Sequence, residues 1–218
     1  MLWSSYPFCF HMRPVVLLAL GALCLPVLGF AQATPRLYLG ASAVVLSSAP
    51  LEAYGISRVG PGATLGLQLS ARWAVETGAQ VYWRNRLSDS YYGSPGQYDT
   101  YSLAARSTAL LVPLVARYTF TAPSARLRVD ALGGGYWLHS ALHYTETVTA
   151  GGQQTETFYR NAYNDVGLTL GPQLRYAFGS HVEAKLSFPL NLRINDYGSF
   201  NNRLSLAPQV GVNYIFGR

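Results

Sequence analysis

The sequence predicts an all-β protein, an eight-stranded antiparallel up-and-down transmembrane β-barrel that follows a cleaved signal peptide. Three observations support this prediction. Long segments alternate apolar and polar residues with a period of two. The connections between these segments are alternately short and long, and an export signal lies at the N-terminus. The composition agrees, because only 12% of the 218 residues are charged, against about 25% in a typical soluble domain.

The clearest segments are residues 165–178 and 182–194, which form a predicted hairpin. The even-numbered residues of the second segment are all apolar: Val182, Ala184, Leu186, Phe188, Leu190, Leu192 and Ile194. Because side chains alternate across a strand, this segment has one apolar and one polar face. Its thirteen residues exceed the ~5–6 of a typical strand and suffice to cross a bilayer at a tilt, which takes about 9–11.

The register of this hairpin follows from its numbering. Both apolar faces use even-numbered residues, so the loop between the strands must contain an odd number of residues. A three-residue loop at residues 179–181 meets this condition and contains a glycine, as short hairpin loops do. We therefore expect Arg175 to face Lys185 directly and Glu183 diagonally on the inward side.

Residues 1–33 are predicted to be a secretory signal peptide, which leaves residues 34–218 as the barrel domain. Arg13 precedes an apolar run over residues 15–28, and Ala31-Gln32-Ala33 matches a small-x-small cleavage site. The pattern fits a translation start at Met1 or at Met12.

The remaining composition excludes two classes of protein. No stretch after residue 30 approaches the ~20 consecutive apolar residues of a transmembrane helix. The net charge is +6, but the arginines are dispersed along strands and the chain is exported, so we expect no nucleic-acid partner.

Both cysteines, Cys9 and Cys24, lie in the signal peptide, so the mature chain is expected to have no thiol.

Eight strands are predicted in chain order from the same alternation. They cover residues 36–46, 61–71, 73–84, 103–120, 125–144, 165–178, 182–194 and 204–216. On the third strand Trp73 and Trp83 lie ten residues apart on the apolar face, as interfacial aromatic girdles require. The fourth strand is apolar on both faces, and Arg117 and Thr119 assign its inward side. Glycines 133–135 predict a kink or a close packing point in the fifth strand.

The connections between these strands alternate in length. Short turns are predicted near residue 72, at 121–124 and at 179–181, and long polar loops at 47–59, 87–101, 145–157 and 196–202. Outer-membrane barrels have short periplasmic turns and longer external loops. The alternation therefore predicts an outer-membrane location. A soluble lipocalin-like barrel is the alternative fold, but it would place the apolar face inward.

These features resemble those of a known group. The export signal, the eight strands, the four long loops and a last strand ending Val212-Asn213-Tyr214-Ile215-Phe216 resemble the small outer-membrane β-barrels of the OmpA/OmpX type. Closer still is the resemblance to the PorT-like outer membrane protein beta-barrel domain family. The resemblance implies that the barrel insertion machinery reads the C-terminal strand, although here Gly217 and Arg218 follow the aromatic residue.

The inward face is predicted to be charged, because alternation sends ten charged residues to it. These are Glu76, Arg84, Arg117, Arg128, Asp130, Asp165, Arg175, Glu183, Lys185 and Arg193. Eight strands enclose a space that side chains can fill, so we expect a plugged interior in which charges pair. A four-residue turn at 121–124 would pair residue 117 with residue 128 and place Arg117 diagonal to Asp130.

Candidate catalytic and metal-binding residues are few. His139 and His143 share one strand face but lie about 13 Å apart at ~3.3 Å per residue, too far for one metal ion. A lipid-acting enzyme would need His143 with Ser140 or Tyr144, and no spacing supports a triad. The sequence therefore predicts no catalytic, cofactor-binding or metal-binding residues and no cofactor.

The predicted function is a structural or surface-interaction role in the outer membrane. The tyrosines of the second loop, Tyr91, Tyr92, Tyr98 and Tyr101, provide a candidate contact surface, because tyrosine gives large contact area at low entropic cost. Expected partners are outer-membrane lipid, the insertion machinery and a surface or envelope protein. A lipid-modifying enzyme and a small-solute channel or transport component are the alternatives.

Overall fold

The computed structural model describes residues 35–48, 56–94, 97–150, 153–195 and 203–217. Ten β-strands make up almost all of them: β1 (Arg36–Ser48), β2 (Ile56–Gln68), β3 (Trp73–Ser94), β4 (Gln97–Thr119), β5 (Leu127–Ala150), β6 (Gln153–Ala177), β7 (Val182–Ser187), β8 (Leu190–Arg193), β9 (Leu204–Leu206) and β10 (Gln209–Ile215). No helix in these ranges is long and apolar enough to cross a membrane.

The strands form one closed antiparallel ring. Strand β7 continues into β8 across Phe188 and Pro189, and β9 continues into β10 across Ala207 and Pro208, so ten segments make eight strands. The ring closes where β1 pairs with β10 and β9. The predicted eight-stranded barrel is therefore confirmed. The predicted signal peptide 1–33 and the loop 196–202 lie outside the described residues.

The hairpin of β6 and β7 has the predicted register. Arg175 lies opposite Lys185, and the Phe178 N–H donates to the Val182 carbonyl at 2.9 Å. The sequence analysis required an odd number of loop residues and chose a three-residue loop. The structure confirms the register that follows from this choice.

The register between β4 and β5 differs from the prediction. Arg117 lies opposite Leu132, not residue 128, and Thr119 lies opposite Asp130. The chain reverses over residues 120–126, a longer turn than the predicted 121–124, because Thr119 and Leu127 are the last and first residues of the two strands. Asp130 is still diagonal to Arg117, and both point inward.

Two predicted loops are strands. Residues 87–94, 97–101, 145–150 and 153–157 continue the ladders, which run to the pairs Ser94 with Gln97 and Ala150 with Gln153. The polar composition indicated loops, but threonine and tyrosine favour strands. In an antiparallel hairpin surrounded by water, polar side chains on either face stay hydrated and carry no desolvation penalty.

Strands β3 to β6 are consequently much longer than the others. They have 22, 23, 24 and 25 residues, whereas β1 and β2 have 13 each. The pairing of β3 with β2 stops at Trp83, and that of β6 with β8 begins at Gly167. Beyond these points the four strands form a projecting sheet, which we define as residues 84–94, 97–107, 141–150 and 153–166. It extends about 35 Å along β3, at ~3.3 Å per residue.

The outer face of the ring is apolar. Leu168, Leu170 and Phe188 are 55%, 68% and 42% exposed, and they share this face with many aliphatic and aromatic side chains. Trp73, Trp83 and Trp137 are also exposed on it. Exposed apolar side chains in such number require lipid around the barrel. We call this surface the apolar belt.

The interior has two layers. Toward the short turns it contains buried charged residues, among them Arg117, Asp130, Arg175 and Glu183. Toward the projecting sheet it contains an apolar layer: Val44, Leu46, Tyr82, Ala109, Leu111, Tyr136, Leu138 and Ala207. The sequence predicted only the charged layer. Glycines 133–135 lie within β5, and a Cβ at Gly134 would collide with the Leu114 carbonyl, so the predicted close packing point is confirmed.

Candidate functional site

The charged layer is organised around Arg175, which is 2% exposed. Its Nε donates to Asp130 Oδ2 at 2.6 Å, and its Nη1 donates to Glu183 Oε2 at 2.8 Å. Thr119 completes the site, because its hydroxyl donates to Asp130 Oδ1 at 2.6 Å and accepts from Arg175 Nη2 at 3.1 Å. One guanidinium thus neutralises two buried carboxylates, as predicted for Glu183.

A second pair lies beside this cluster. Arg117 Nη1 donates to Glu76 Oε1 at 2.6 Å, and Arg117 Nη2 donates to Gln68 Oε1 at 2.6 Å. The Lys185 ammonium donates to the Thr64 hydroxyl at 2.7 Å. Arg117 lies diagonal to Asp130 as expected, but the two are not bonded to each other. Asp130 is bonded to Arg175, and Arg117 is bonded to Glu76.

The remaining predicted inward charges lie nearer the ends of the barrel. Arg128 is at the turn end, where its Nη1 is 3.9 Å from Glu183 Oε2. Asp165 and Arg193 are at the opposite end, 3.5 Å apart, and Arg84 is on β3 at the start of the projecting sheet. All four are half-buried, so among the described inward charges the fully buried ones lie in the middle of the barrel.

Two cavities of the described interior adjoin the charged layer. A cavity of about 560 Å³ opens at the turn end and is lined by Tyr38, Arg117, Arg128 and Glu183 among others. Between the charged and the apolar layers lies a cavity of about 30 Å³, lined by Glu76, Gln80, Leu111 and neighbours. This is about the volume of one water molecule.

The candidate enzyme residues do not come together. His143 and Ser140 differ by an odd number of positions on β5, so they lie on opposite faces of that strand. Tyr144 lies on the same face as Ser140, and His139 lies on the same face as His143. His139 Nδ1 instead contacts Asn164 Oδ1 at 2.9 Å. Among the described residues, no three His, Cys, Asp or Glu side chains form a group that could hold a metal ion.

The projecting sheet presents large side chains to solvent. Phe158 is 73% exposed, and Tyr159 and Tyr163 are also exposed on β6. Tyr91, Tyr92 and Tyr98, which were expected in a loop, belong to the hairpin of β3 and β4. The sequence analysis named these loop tyrosines but not Phe158, Tyr159 or Tyr163, because it began the sixth strand only at residue 165.

One basic group on this sheet was missed. Arg106 lies opposite His143, which lies opposite Arg160, so three basic side chains form a line across β4, β5 and β6. We call these three residues the basic row. The three basic residues were visible in the sequence, but their alignment was not. The predicted turn at 121–124 gave the wrong register between β4 and β5, and Arg160 precedes the predicted start of its strand.

Solved structures provide the relevant comparison, since no protein-family model and no curated protein sequence matches the chain. The barrel is similar to a major outer membrane protein from Thermus thermophilus, with a TM-score of 0.57 and 12% identity over 84% of this chain and 100% of that one. Ail, the attachment invasion locus protein of Yersinia pestis, gives a TM-score of 0.47 and 10% identity over 84% and 97% of the chains. OprG from Pseudomonas aeruginosa gives 0.47 and 12% over 85% and 97%.

The Thermus protein is the comparison that carries weight, and at 12% identity it establishes the fold. The chain has the fold of an outer-membrane β-barrel, as its resemblance to the OmpA/OmpX type implied. The closer resemblance to the PorT-like family stays a prediction. A closed β-ring with an apolar belt is the architecture that spans outer membranes, so the protein lies in the outer membrane.

Proposed function

We propose that the protein is a non-catalytic outer-membrane barrel whose projecting sheet is a contact surface for a protein at the cell surface. The observation that carries this proposal is the length of β3 to β6, which continue well past the point where their neighbours stop. A barrel that served only to span the bilayer would not need strands of 22 to 25 residues, since about 9–11 are enough.

The surface chemistry of the sheet supports this role. All described residues from Gln153 to Asn164 on β6 are exposed on both faces. The segment includes Phe158, Tyr159 and Tyr163, and exposed aromatic residues are enriched at protein interfaces. A non-catalytic role fits the placement of His143 and Ser140 on opposite faces of β5.

We further propose that the interior is closed to solutes. Arginines and carboxylates pair in the charged layer, and the apolar layer lies between that layer and the projecting sheet. An ion would have to leave water to pass the apolar layer, and burying an unpaired charge is costly. This arrangement favours a contact role over the channel alternative. The insertion machinery is the expected partner during assembly, through β10.

Photo-crosslinking in intact cells tests the contact role. A benzoylphenylalanine placed at Tyr159 or Tyr163 should give discrete adducts with a protein, whereas the same group at Leu170 in the apolar belt should give none. Every variant should fractionate with outer membranes and migrate faster before heating than after it, because the closed ring persists in detergent. Folded variants that give no protein adduct from the sheet positions would argue against the contact role.

A further inference from the structure

The basic row is a continuous feature of one face of the sheet. Arg106, His143 and Arg160 occupy directly opposed positions on three neighbouring strands, and all three are exposed. Directly opposed residues have Cβ atoms about 4.5–5.5 Å apart, and strands lie ~4.8 Å apart. Donor groups of neighbouring members can therefore reach a single anion between them.

The arginines of the row are available for such an anion. Within the described ranges, no hydrogen bond or ion pair joins Arg106, His143 or Arg160 to an acidic side chain. This distinguishes them from the arginines of the barrel interior, where Arg117 and Arg175 are bonded to carboxylates. A groove of about 1080 Å³ runs along the row, and its lining contains no acidic residue.

The row lies where the apolar belt ends. On its turn side, Trp83 and Thr108 form the next pair along β3 and β4. On its other side, the next residues of the same face include Leu87 and Phe158, which are 69% and 73% exposed. Exposed apolar side chains thus flank the basic residues on both sides, which is the composition of a membrane interface.

We propose that the basic row binds the phosphate of a lipid headgroup in the membrane leaflet on the side of the projecting sheet. Guanidinium groups bind phosphate oxygens in bidentate geometry, and basic clusters beside a membrane span attract anionic headgroups. The apolar belt, which adjoins the row on its turn side at Trp83, identifies the source as a lipid, because the acyl chains of a lipid bound at the row would lie against the belt. The proposal rests on the outer-membrane placement and names a partner in addition to the proposed surface protein.

Binding to lipid A in detergent tests this inference with the purified full-length protein. Native mass spectrometry should show adducts with diphosphoryl lipid A and far fewer with the dephosphorylated lipid. Replacing both arginines, Arg106→Gln with Arg160→Gln, should weaken binding at least about tenfold, given the contribution of each basic residue near a charged surface. The matched control is Arg36→Gln with Arg126→Gln, which removes two exposed arginines at the turn end and should bind like the wild type.

Three outcomes would overturn the proposal: equal affinity of the two double variants, equal binding of the dephosphorylated lipid, or displacement of lipid A by millimolar inorganic phosphate, which would indicate a free-phosphate site. Heat-modifiable migration shows that each variant is folded, and Arg106→Lys with Arg160→Lys should restore most of the binding. The measurement uses purified protein, so a failure to find a protein partner in cells leaves its result unaffected.

Discussion

Arg175 holds Asp130 through two hydrogen bonds, one to each carboxylate oxygen, at 2.6 and 3.1 Å. The two residues lie on neighbouring strands, but Asp130 directly faces Gln173, so the bonds run diagonally. A guanidinium that binds both oxygens fixes the carboxylate in orientation as well as in charge. The two strands are therefore tied together inside the barrel by a buried ion pair as well as by their backbone ladder.

We predict that Asp130→Ala and Glu183→Ala each lower the free energy of unfolding by about 3–5 kcal/mol, because each leaves a buried guanidinium with less compensation. Urea titration of the heat-modifiable band in detergent measures this. Glu156→Ala removes an exposed carboxylate from the projecting sheet and should leave the midpoint unchanged. Equal midpoints for all three variants would contradict a stabilising role of the ion pairs.

The apolar belt provides a second prediction. Leu168→Arg and Phe188→Arg should each destabilise the barrel by about 2–4 kcal/mol in lipid bilayers, the cost of a cation near the midplane. Gln154→Arg is the matched control for Leu168, since both positions are on the same face of β6. Refolding titrations in liposomes distinguish them, and wild-type stability of both belt variants would show that these positions do not face lipid.

The direction of the barrel can be tested because no cysteine occurs after residue 24. A single Gln154→Cys substitution on the projecting sheet should react with a membrane-impermeant maleimide in intact cells. Ser180→Cys, in the turn between β6 and β7, should react only after the outer membrane is permeabilised. Labelling in the reverse order would mean that the sheet points into the periplasm.

Conductance measurements test the closed interior. We expect no large, steady current when the wild-type protein is reconstituted into planar bilayers, because in the proposed closed interior the paired charges and the apolar layer would block the passage of ions. A porin reconstituted in the same way provides the positive control. A stable open level in several independent reconstitutions would favour the channel alternative.

The parts of this fold that could be predicted from sequence are those where alternation is unambiguous. In β7 and β8, one face is apolar and the other polar throughout, so only one inward set was possible and Arg175 fell opposite Lys185. The β4 segment carries apolar residues on both faces because Leu111 and Val115 belong to the interior. The presence of apolar residues on both faces was the sequence signal for the apolar layer. Without the positions of the neighbouring strands, the sequence could not show which face contacts lipid and which faces the interior.

The projecting sheet could not be predicted for a different reason. A strand in water needs no apolar face. The segment that contains Thr145, Thr147 and Thr149 therefore lacks the alternation of apolar and polar residues by which strands were predicted. Backbone pairing along the whole of β5 and β6 holds these residues in strand conformation instead. The basic row depends on two such ladders at once, and one error of register in β4 was enough to hide it.

The continuity of the projecting sheet with the barrel wall bears on the entropy of recognition. Ordering a flexible loop on binding costs about 1–2 kcal/mol per residue in backbone entropy, which the contacts with a partner must offset. Here the backbone is already fixed by ladders that run from the barrel to the pairs Ser94 with Gln97 and Ala150 with Gln153. The sheet would thus meet the proposed partner as a preorganised surface, so that most of the contact energy would remain available as affinity.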